Sequence, residues 1–147
     1  MNIYRPISEI MTTDLVSVKM TALMSQVEKI FDNKSFHHIP VIDDNHLPVG
    51  IISRHDYYQL QHHFTKNGWE MADVKNQRLF ESFTVDEVMT PNPVTLDKDE
   101  PLFDVLDVFL ANKIHSIIVT DAGLCVGIIT PYDFLKEMKN MAVVTQS

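Results

Sequence analysis

The sequence predicts an α/β fold in which two β-α-β-β-α repeats pack about a pseudo-twofold axis as one domain. Three observations support this prediction. The length of 147 residues is that of about one ordinary domain. The chain aligns with itself over most of its length. Within each copy, strand-like apolar runs alternate with helical apolar periodicity. The composition, 45% hydrophobic and 22% charged, is that of a folded globular protein.

The internal duplication appears when the chain is shifted by 78 residues. Ile7–Asp43 then lies over Val85–Asp121 with ten of 37 positions identical. After this stretch the offset falls to 77, so that Val49–Ser53 aligns with Val126–Thr130. The lost residue falls in the turn between two strands, where a folded repeat tolerates a change of length best.

Each copy contains the same predicted elements in the same order. In the first copy these are an extended segment at Leu15–Val18, a helix from Leu23 to Phe31, strands at Phe36–Ile42 and Val49–Ile52, and a helix opening at Ser53. The second copy has its extended segment at Pro93–Leu96, a helix from Leu102 to Phe109, strands at Ile114–Thr120 and Cys125–Ile129, and a helix opening at Thr130. A copy of about 60 residues buries too little surface alone, so the two copies are expected to pack together.

Along the chain we predict a first repeat over residues 1–62, a helical linker over 63–84, and a second repeat with a C-terminal helix over 85–147. The linker holds an Asn67-Gly68 turn and an amphipathic stretch from Trp69 to Phe80. Apart from the tail Phe134–Met141, the other half has no counterpart of this segment.

Charge and cysteine usage exclude several classes of protein. The formal net charge of −8 and the scattered basic residues disfavour a nucleic-acid or anionic-membrane surface. Cys125 is the single cysteine and lies in an apolar strand, which predicts a buried, reduced thiol and a cytoplasmic protein. Met1–Ile10 contains no apolar run, so neither an export signal nor a membrane span is expected.

Sequence patterns that would indicate an enzyme or a metal centre are missing. The chain contains no phosphate-binding glycine loop, zinc-protease pattern or nucleophile elbow, and only four glycines. His55, His62 and His63 have no ligand partners at suitable spacing and are interpreted as a solvated helix face. His37 and His115 occupy equivalent strand positions. Two interpretations stay open for them: contact with a ligand, or a buried imidazole with a structural role. The methionines, Met11 and Met89 among them, are expected to fill the core.

The sequence Ser/Thr-x-x-Asp follows the last strand of each copy, as Ser53 with Asp56 and Thr130 with Asp133. The hydroxyl residue caps a helix, and the aspartate falls in the first turn beside free backbone N–H groups. Such a carboxylate can accept both hydroxyls of a ribose, while the N–H groups can hold a phosphate. The alternative is a structural helix cap, a variant of the capping box.

Together, these features resemble the paired cystathionine-beta-synthase domain, or CBS pair (Bateman module). The resemblance rests on Ile10–Thr12 and Val88–Thr90, on His37–Asp43 and His115–Asp121, and on Gly50–Asp56 and Gly127–Asp133, and it covers nearly the whole chain. It implies a free-standing CBS protein of bacterial type with an adenosine ligand in the cleft between the repeats.

The resemblance implies two related sites. One uses Thr12, Val16, Ser17, His115, Ile128, Thr130 and Asp133. The other uses His37, Ile51, Ser53, Asp56, Thr90, Val94 and Thr95. Many relatives place a cation near the central strand, whereas here His38 and Ser116 stand there and Arg54 is the nearby cation, which we include among the site residues.

The resulting prediction is a non-catalytic, ligand-sensing regulatory module that passes its signal to a partner protein. Candidate ligands are AMP, ADP or ATP, the last with Mg²⁺ as a charge partner, and S-adenosylmethionine; no cofactor is required. Homodimerisation through the helices is expected, without nucleic acid or membrane. Two alternatives stay open: an oligomerisation or docking scaffold with empty clefts, and an accessory or DNA-linked regulator whose effector domain lies on another polypeptide.

Overall fold

The computed structural model describes residues 1–33, 35–66, 78, 81–112 and 114–144. The described chain divides into two compact units. Val16–Pro93 forms one, which we call the first unit. Met1–Leu15 together with Val94–Ser147 forms the other, which we call the second unit. The predicted amphipathic stretch Trp69–Phe80 lies outside the described residues except for Arg78, which is helical.

The first unit is a four-stranded sheet with helices packed on it. Its strands lie in the order β1-β2-β3-β4; β1 runs parallel to β2, and the other pairs are antiparallel. In chain order the elements are β1 (Val18–Lys19), α1 (Met24–Asn33), β2 (His38–Ile42), β3 (Pro48–Ser53), α2 (Arg54–Lys66), α3 (Val85–Val88) and β4 (Thr90–Pro91). The buried core consists of Met24, Val27, Phe31, Ile39, Val41, Ile52, Tyr57 and Val85.

The second unit repeats this plan with three strands in the order β5-β6-β7. β5 is parallel to β6, and β6 is antiparallel to β7. The elements are a 3₁₀ turn (Ile7–Glu9), β5 (Thr95–Asp97), α4 (Leu102–Asn112), β6 (Ile117–Asp121), β7 (Leu124–Ile129) and α5 (Pro131–Val144). Its buried core consists of Ile7, Leu102, Val105, Ile117, Val119, Ile129 and Phe134.

The predicted β-α-β-β-α order is confirmed in both copies, with shifts of a few residues at the ends of elements. The parallel strands begin later than the sequence suggested, at Val18 and Thr95. The two-residue turn between β6 and β7 places Ala122 and Gly123 at φ values of 49° and 82°, the left-handed backbone that tight hairpins need. The longer β2–β3 turn is closed by the Asp43 carboxylate, which accepts the N–H groups of Asn45 and Leu47.

The opening segment of each repeat packs with the body of the other repeat. Ile7 is fully buried in the second unit, and Val85 is fully buried in the first. A capping box between Thr84 and Glu87 starts α3, after which β4 pairs with β3. The boundaries of the compact units therefore differ from the predicted limits of the repeats along the sequence, 1–62 and 85–147.

Methionine–glycine contacts hold these exchanged segments. A Cβ atom at Gly127 would lie 2.7 Å from the Met11 sulfur and 3.1 Å from the Thr12 carbonyl oxygen. At Gly50 the same atom would collide with the Met89 sulfur and lie 3.1 Å from the Thr90 carbonyl oxygen. The glycine in each Gly-Ile-Ile strand is thus required for close approach of the opening segment.

Candidate functional site

In the first unit, Ser53 and Asp56 join the end of β3 to the first turn of α2. The Ser53 N–H donates to Oδ2 of Asp56 at 2.8 Å, and the Asp56 N–H donates to the Ser53 hydroxyl at 3.0 Å. This reciprocal pair satisfies two N–H groups at the start of the helix. Asp56 is half-buried. Within the described part of the chain, no hydrogen bond to its second oxygen, Oδ1, is present.

In the second unit, Thr130 and Asp133 occupy the equivalent positions between β7 and α5. Both the N–H and the hydroxyl of Thr130 donate to Oδ2 of Asp133, each at 2.8 Å. The hydroxyl of Thr12 donates to Oδ1 at 2.9 Å. Asp133 is only 6% exposed. Three donors therefore enclose this carboxylate, whereas Asp56 receives one.

Thr12 and Thr90 lie in the same register on the two sheets but differ in their contacts. Thr12 exchanges backbone hydrogen bonds of 2.9 and 3.0 Å with Ile128, and Thr90 pairs with Ile51 in β4. Thr12 is half-buried against Asp133, while Thr90 is exposed. The family resemblance grouped Thr12 with Asp133 in one site, but the direct hydrogen bond between them was not predicted, because both copies carry threonine at this position.

The two histidines singled out from the sequence precede the central strands. His37 and His115 are both exposed, so neither is the buried imidazole that we considered as the alternative. The His37 carbonyl oxygen accepts the N–H of Arg54 at 2.8 Å and so joins the start of β2 to the start of α2. His55, His62 and His63 lie exposed on α2, as the solvated-face interpretation predicted.

Arg54 is tied to the end of α1. Its Nη2 donates to the carbonyl oxygens of Phe31 and Phe36, both at 2.9 Å. Its guanidinium carbon lies 5.1 Å from the centre of the Phe31 ring. A cation that binds carbonyls at a helix C-terminus stabilises that end of the helix. A contact between Arg54 and a ligand stays a prediction.

The remaining predicted site residues are divided between the units. Ile51, Thr90, Val16 and Ser17 belong to the first unit with Asp56, and Ile128, Val94 and Thr95 belong to the second with Asp133. Val94 and Thr95 are exposed. Whether Val16 and Ser17 contribute to a site with Asp133, or Val94 and Thr95 to one with Asp56, stays a prediction.

Other reactive groups are few in the described part of the chain. Its residues include no group of three or more His, Cys, Asp or Glu side chains positioned to hold a metal ion. Cys125 is a half-buried free thiol, and burial raises its pKa, which lowers the fraction of reactive thiolate. Among the helices described, none has the length and apolar character needed to cross a bilayer.

Comparison with curated proteins finds relatives longer than this chain. An uncharacterized protein of Methanocaldococcus jannaschii, MJ1232, is 30% identical over 121 residues, which are 82% of this chain and 35% of that protein. The chain spans less than half the length of the curated relatives that it matches.

Some of the solved structures with this fold contain AMP, ATP or an adenosyl compound. CBSX2 in complex with AMP matches with a TM-score of 0.74 and 24% identity, covering 94% of this chain and 98% of CBSX2. The CBS pair of MJ0100 with 5'-methylthioadenosine and S-adenosylmethionine matches with a TM-score of 0.72 and 21% identity, covering 92% of this chain and 97% of that one. The CBS domain of a bacterial CNNM/CorC-family Mg²⁺ transporter with ATP matches with a TM-score of 0.71 and 20% identity, covering 92% of this chain and 87% of that one.

A family model settles the relationship that these likenesses suggest. The model of the CBS domain matches residues 7–62 and again residues 85–140. The two matches cover both copies of the duplication and most of the chain. This chain therefore belongs to the CBS-domain family and carries a tandem pair of CBS domains.

Proposed function

We propose that this CBS pair is a regulatory module that binds an adenine nucleotide or a related adenosyl compound through Ser53 and Asp56. The observation that carries the proposal is the Asp56 carboxylate, held at the first turn of α2 with one oxygen bound to Ser53 and the other without a donor among the described residues. Asp56 is fixed in place yet half-exposed, and a carboxylate in this state can accept the hydroxyls of a ribose.

The fold of the relatives supports an adenosyl ligand. AMP, ATP and S-adenosylmethionine each occur in solved CBS structures with TM-scores above 0.7 to this chain. The likeness is one of fold, and the ligand is therefore proposed from the residues that are present here: a diol acceptor at Asp56 and an exposed hydroxyl at Thr90, which lies on the strand beside Ile51.

Charge favours a ligand with few phosphates. The chain carries a formal net charge of −8, and the nearest predicted cation, Arg54, is bound to backbone carbonyls of Phe31 and Phe36. Each added phosphate without a paired cation costs electrostatic free energy. We therefore propose AMP or S-adenosylmethionine ahead of ATP, and expect ATP binding to require Mg²⁺.

Signalling by such a module needs no catalysis. A ligand shifts a conformational equilibrium only by the difference in its affinity for the two states. The proposed receiver of the signal is a separate partner protein. A cytoplasmic location, predicted from the lone cysteine, is part of the same proposal.

Homodimerisation through helices is also part of the proposal. Helix α5 exposes four large apolar side chains: Tyr132, Leu135, Met138 and Met141. Leu135 and Met138 are 63% and 56% exposed, and burying them against a second copy would be favourable. Light scattering of the wild type should give twice the chain mass, and Leu135→Glu/Met138→Glu should give a monomer. Lys136→Glu/Lys139→Glu, on the same helix, is the control and should stay dimeric.

Thermal denaturation with and without ligand tests the function itself. A ligand present at about 100 times its dissociation constant stabilises the folded state by about 2.7 kcal/mol, a rise of roughly 5–10 °C for a chain of this size. AMP or S-adenosylmethionine should produce such a shift, and Asp56→Asn should reduce it by half or more. Asp107→Asn removes an equal charge from an exposed position on α4 and should keep the shift.

A scaffold that binds no small molecule is the second candidate. The observation that favours it is the Asp133 carboxylate, whose hydrogen bonds are internal, as in a purely structural cap. No shift with AMP, ADP, ATP with Mg²⁺ or S-adenosylmethionine would favour the scaffold over the regulator, whereas an unchanged shift in Asp56→Asn would show that the ligand binds without Asp56.

A further inference from the structure

The two Ser/Thr-x-x-Asp positions of this chain are not equivalent, and we propose that only the one at Asp56 binds the adenosyl ligand. At the other, the hydroxyl of Thr12 takes the place of a sugar hydroxyl on Asp133 and closes the position. This inference rests on the proposed function and adds to it a stoichiometry of one ligand per chain and a role for Thr12.

Asp133 has no accessible oxygen to offer a sugar. Oδ1 is bound by the Thr12 hydroxyl at 2.9 Å, and Oδ2 by two groups of Thr130 at 2.8 Å. The residue is 6% exposed. A ribose hydroxyl could reach the carboxylate only after Thr12 had moved away.

Displacing Thr12 gives a ligand little net free energy. A hydrogen bond from a hydroxyl to the carboxylate would be exchanged for another of the same kind, so the difference between them is small. The internal donor is already positioned, because Thr12 is fixed by two backbone hydrogen bonds to Ile128. A free ligand must also lose translational and rotational freedom on binding.

Asp56 presents the opposite arrangement. Among the described residues a single donor, the Ser53 N–H, binds its Oδ2. The residue equivalent to Thr12 is Thr90, which is exposed and makes no side-chain hydrogen bond to Asp56. A sugar hydroxyl can bind at this carboxylate without displacing a hydroxyl of the protein.

Calorimetric titration with AMP, repeated with S-adenosylmethionine, tests the inference on the full chain. The wild type should bind one molecule per chain. Asp56→Asn, which keeps an acceptor for the Ser53 N–H, should lower the affinity at least tenfold. Thr12→Val removes the internal donor at nearly constant volume and should add a second, weaker site, whereas Thr12→Ser keeps the hydroxyl and should bind one molecule like the wild type.

The outcomes separate this inference from the proposed function. Two equal sites in the wild type, or one site that survives in Asp56→Asn, would overturn the inference, while regulation by an adenosyl ligand would stand with its binding residues reassigned. No binding by any of these proteins would overturn the proposed function. If Thr12→Val fails to fold, as its circular dichroism would reveal, the wild type and Asp56→Asn still decide the matter, because neither alters the second unit.

Discussion

The two units share a plan, yet one hydrogen-bonded pair in the first is replaced by an apolar pair in the second. The Tyr57 hydroxyl donates to the Glu28 carboxylate at 3.0 Å. At the equivalent positions the second copy has Phe134 and Leu106, which pack in its core. Both members of the polar pair thus have apolar counterparts in the second copy.

The same contrast applies to the carboxylates. In the second unit the polar groups near the start of α5 satisfy one another, and Asp133 is buried. In the first unit Asp56 keeps an oxygen for another donor. The two copies thus share a plan while only one of them, among the described residues, leaves a carboxylate oxygen without an internal donor.

The largest expected effect comes from the aromatic core residues at equivalent positions of α1 and α4. Phe31 is 2% exposed and contacts Tyr57 and Arg54, whereas Phe109 is only partly buried. Phe31→Ala should lower the free energy of unfolding by about 3–5 kcal/mol, and Phe109→Ala by about 2 kcal/mol, because less apolar contact is lost. Urea denaturation measures both, and an equal or reversed order would contradict the comparison.

Substitution of the close-approach glycines should have the next largest effect. Gly50→Ala and Gly127→Ala should each cost about 1–3 kcal/mol, since the added methyl group displaces Met89 or Met11. We expect the greater loss at Gly50, where the sulfur lies nearer.

A double-variant cycle checks the cause. The double variant Gly50→Ala/Met89→Ala should lose less free energy of unfolding than the two single variants together, because the new methyl group at position 50 no longer meets the Met89 sulfur. If the losses in the free energy of unfolding were additive, the contact with Met89 would not be the reason why position 50 requires glycine.

Part of the fold and of the candidate site could be predicted from the sequence. The repeat, the element order and the placing of Ser53 and Asp56 at a helix start followed from periodicity and capping residues. The exchange of the opening segments did not follow from local patterns, which are equivalent at Ile7 and Val85; only the family resemblance, which grouped Thr12 with Asp133 and Thr90 with Asp56, implied it. The hydrogen bond that covers the Asp133 carboxylate could not be predicted either. It depends on the rotamer and the burial of Thr12, and both copies carry threonine at this position.

The smallest expected effect concerns pH and separates Tyr57 from Phe134. Burial, with the neighbouring Glu28 carboxylate, raises the pKa of the Tyr57 hydroxyl in the folded state. The unfolded chain therefore loses this proton first, and stability falls as the pH rises above about 10. Tyr57→Phe should cost about 1 kcal/mol at neutral pH through the lost hydrogen bond and should weaken the alkaline decline.

An exposed tyrosine provides the control. Tyr132 is 71% exposed, and Tyr132→Phe should leave both neutral stability and the alkaline decline as in the wild type. Denaturant titrations between pH 7 and pH 11 would measure the three proteins. A decline that is equally steep in Tyr57→Phe would exclude Tyr57 as its source.

A crystal structure of the wild-type chain grown with saturating AMP would test the central claim most directly. We predict one nucleotide per chain, with its ribose hydroxyls on the Asp56 carboxylate and with Thr12 still bound to Asp133. Electron density for the nucleotide at Asp133, with Asp56 bonded only to Ser53, would contradict the account.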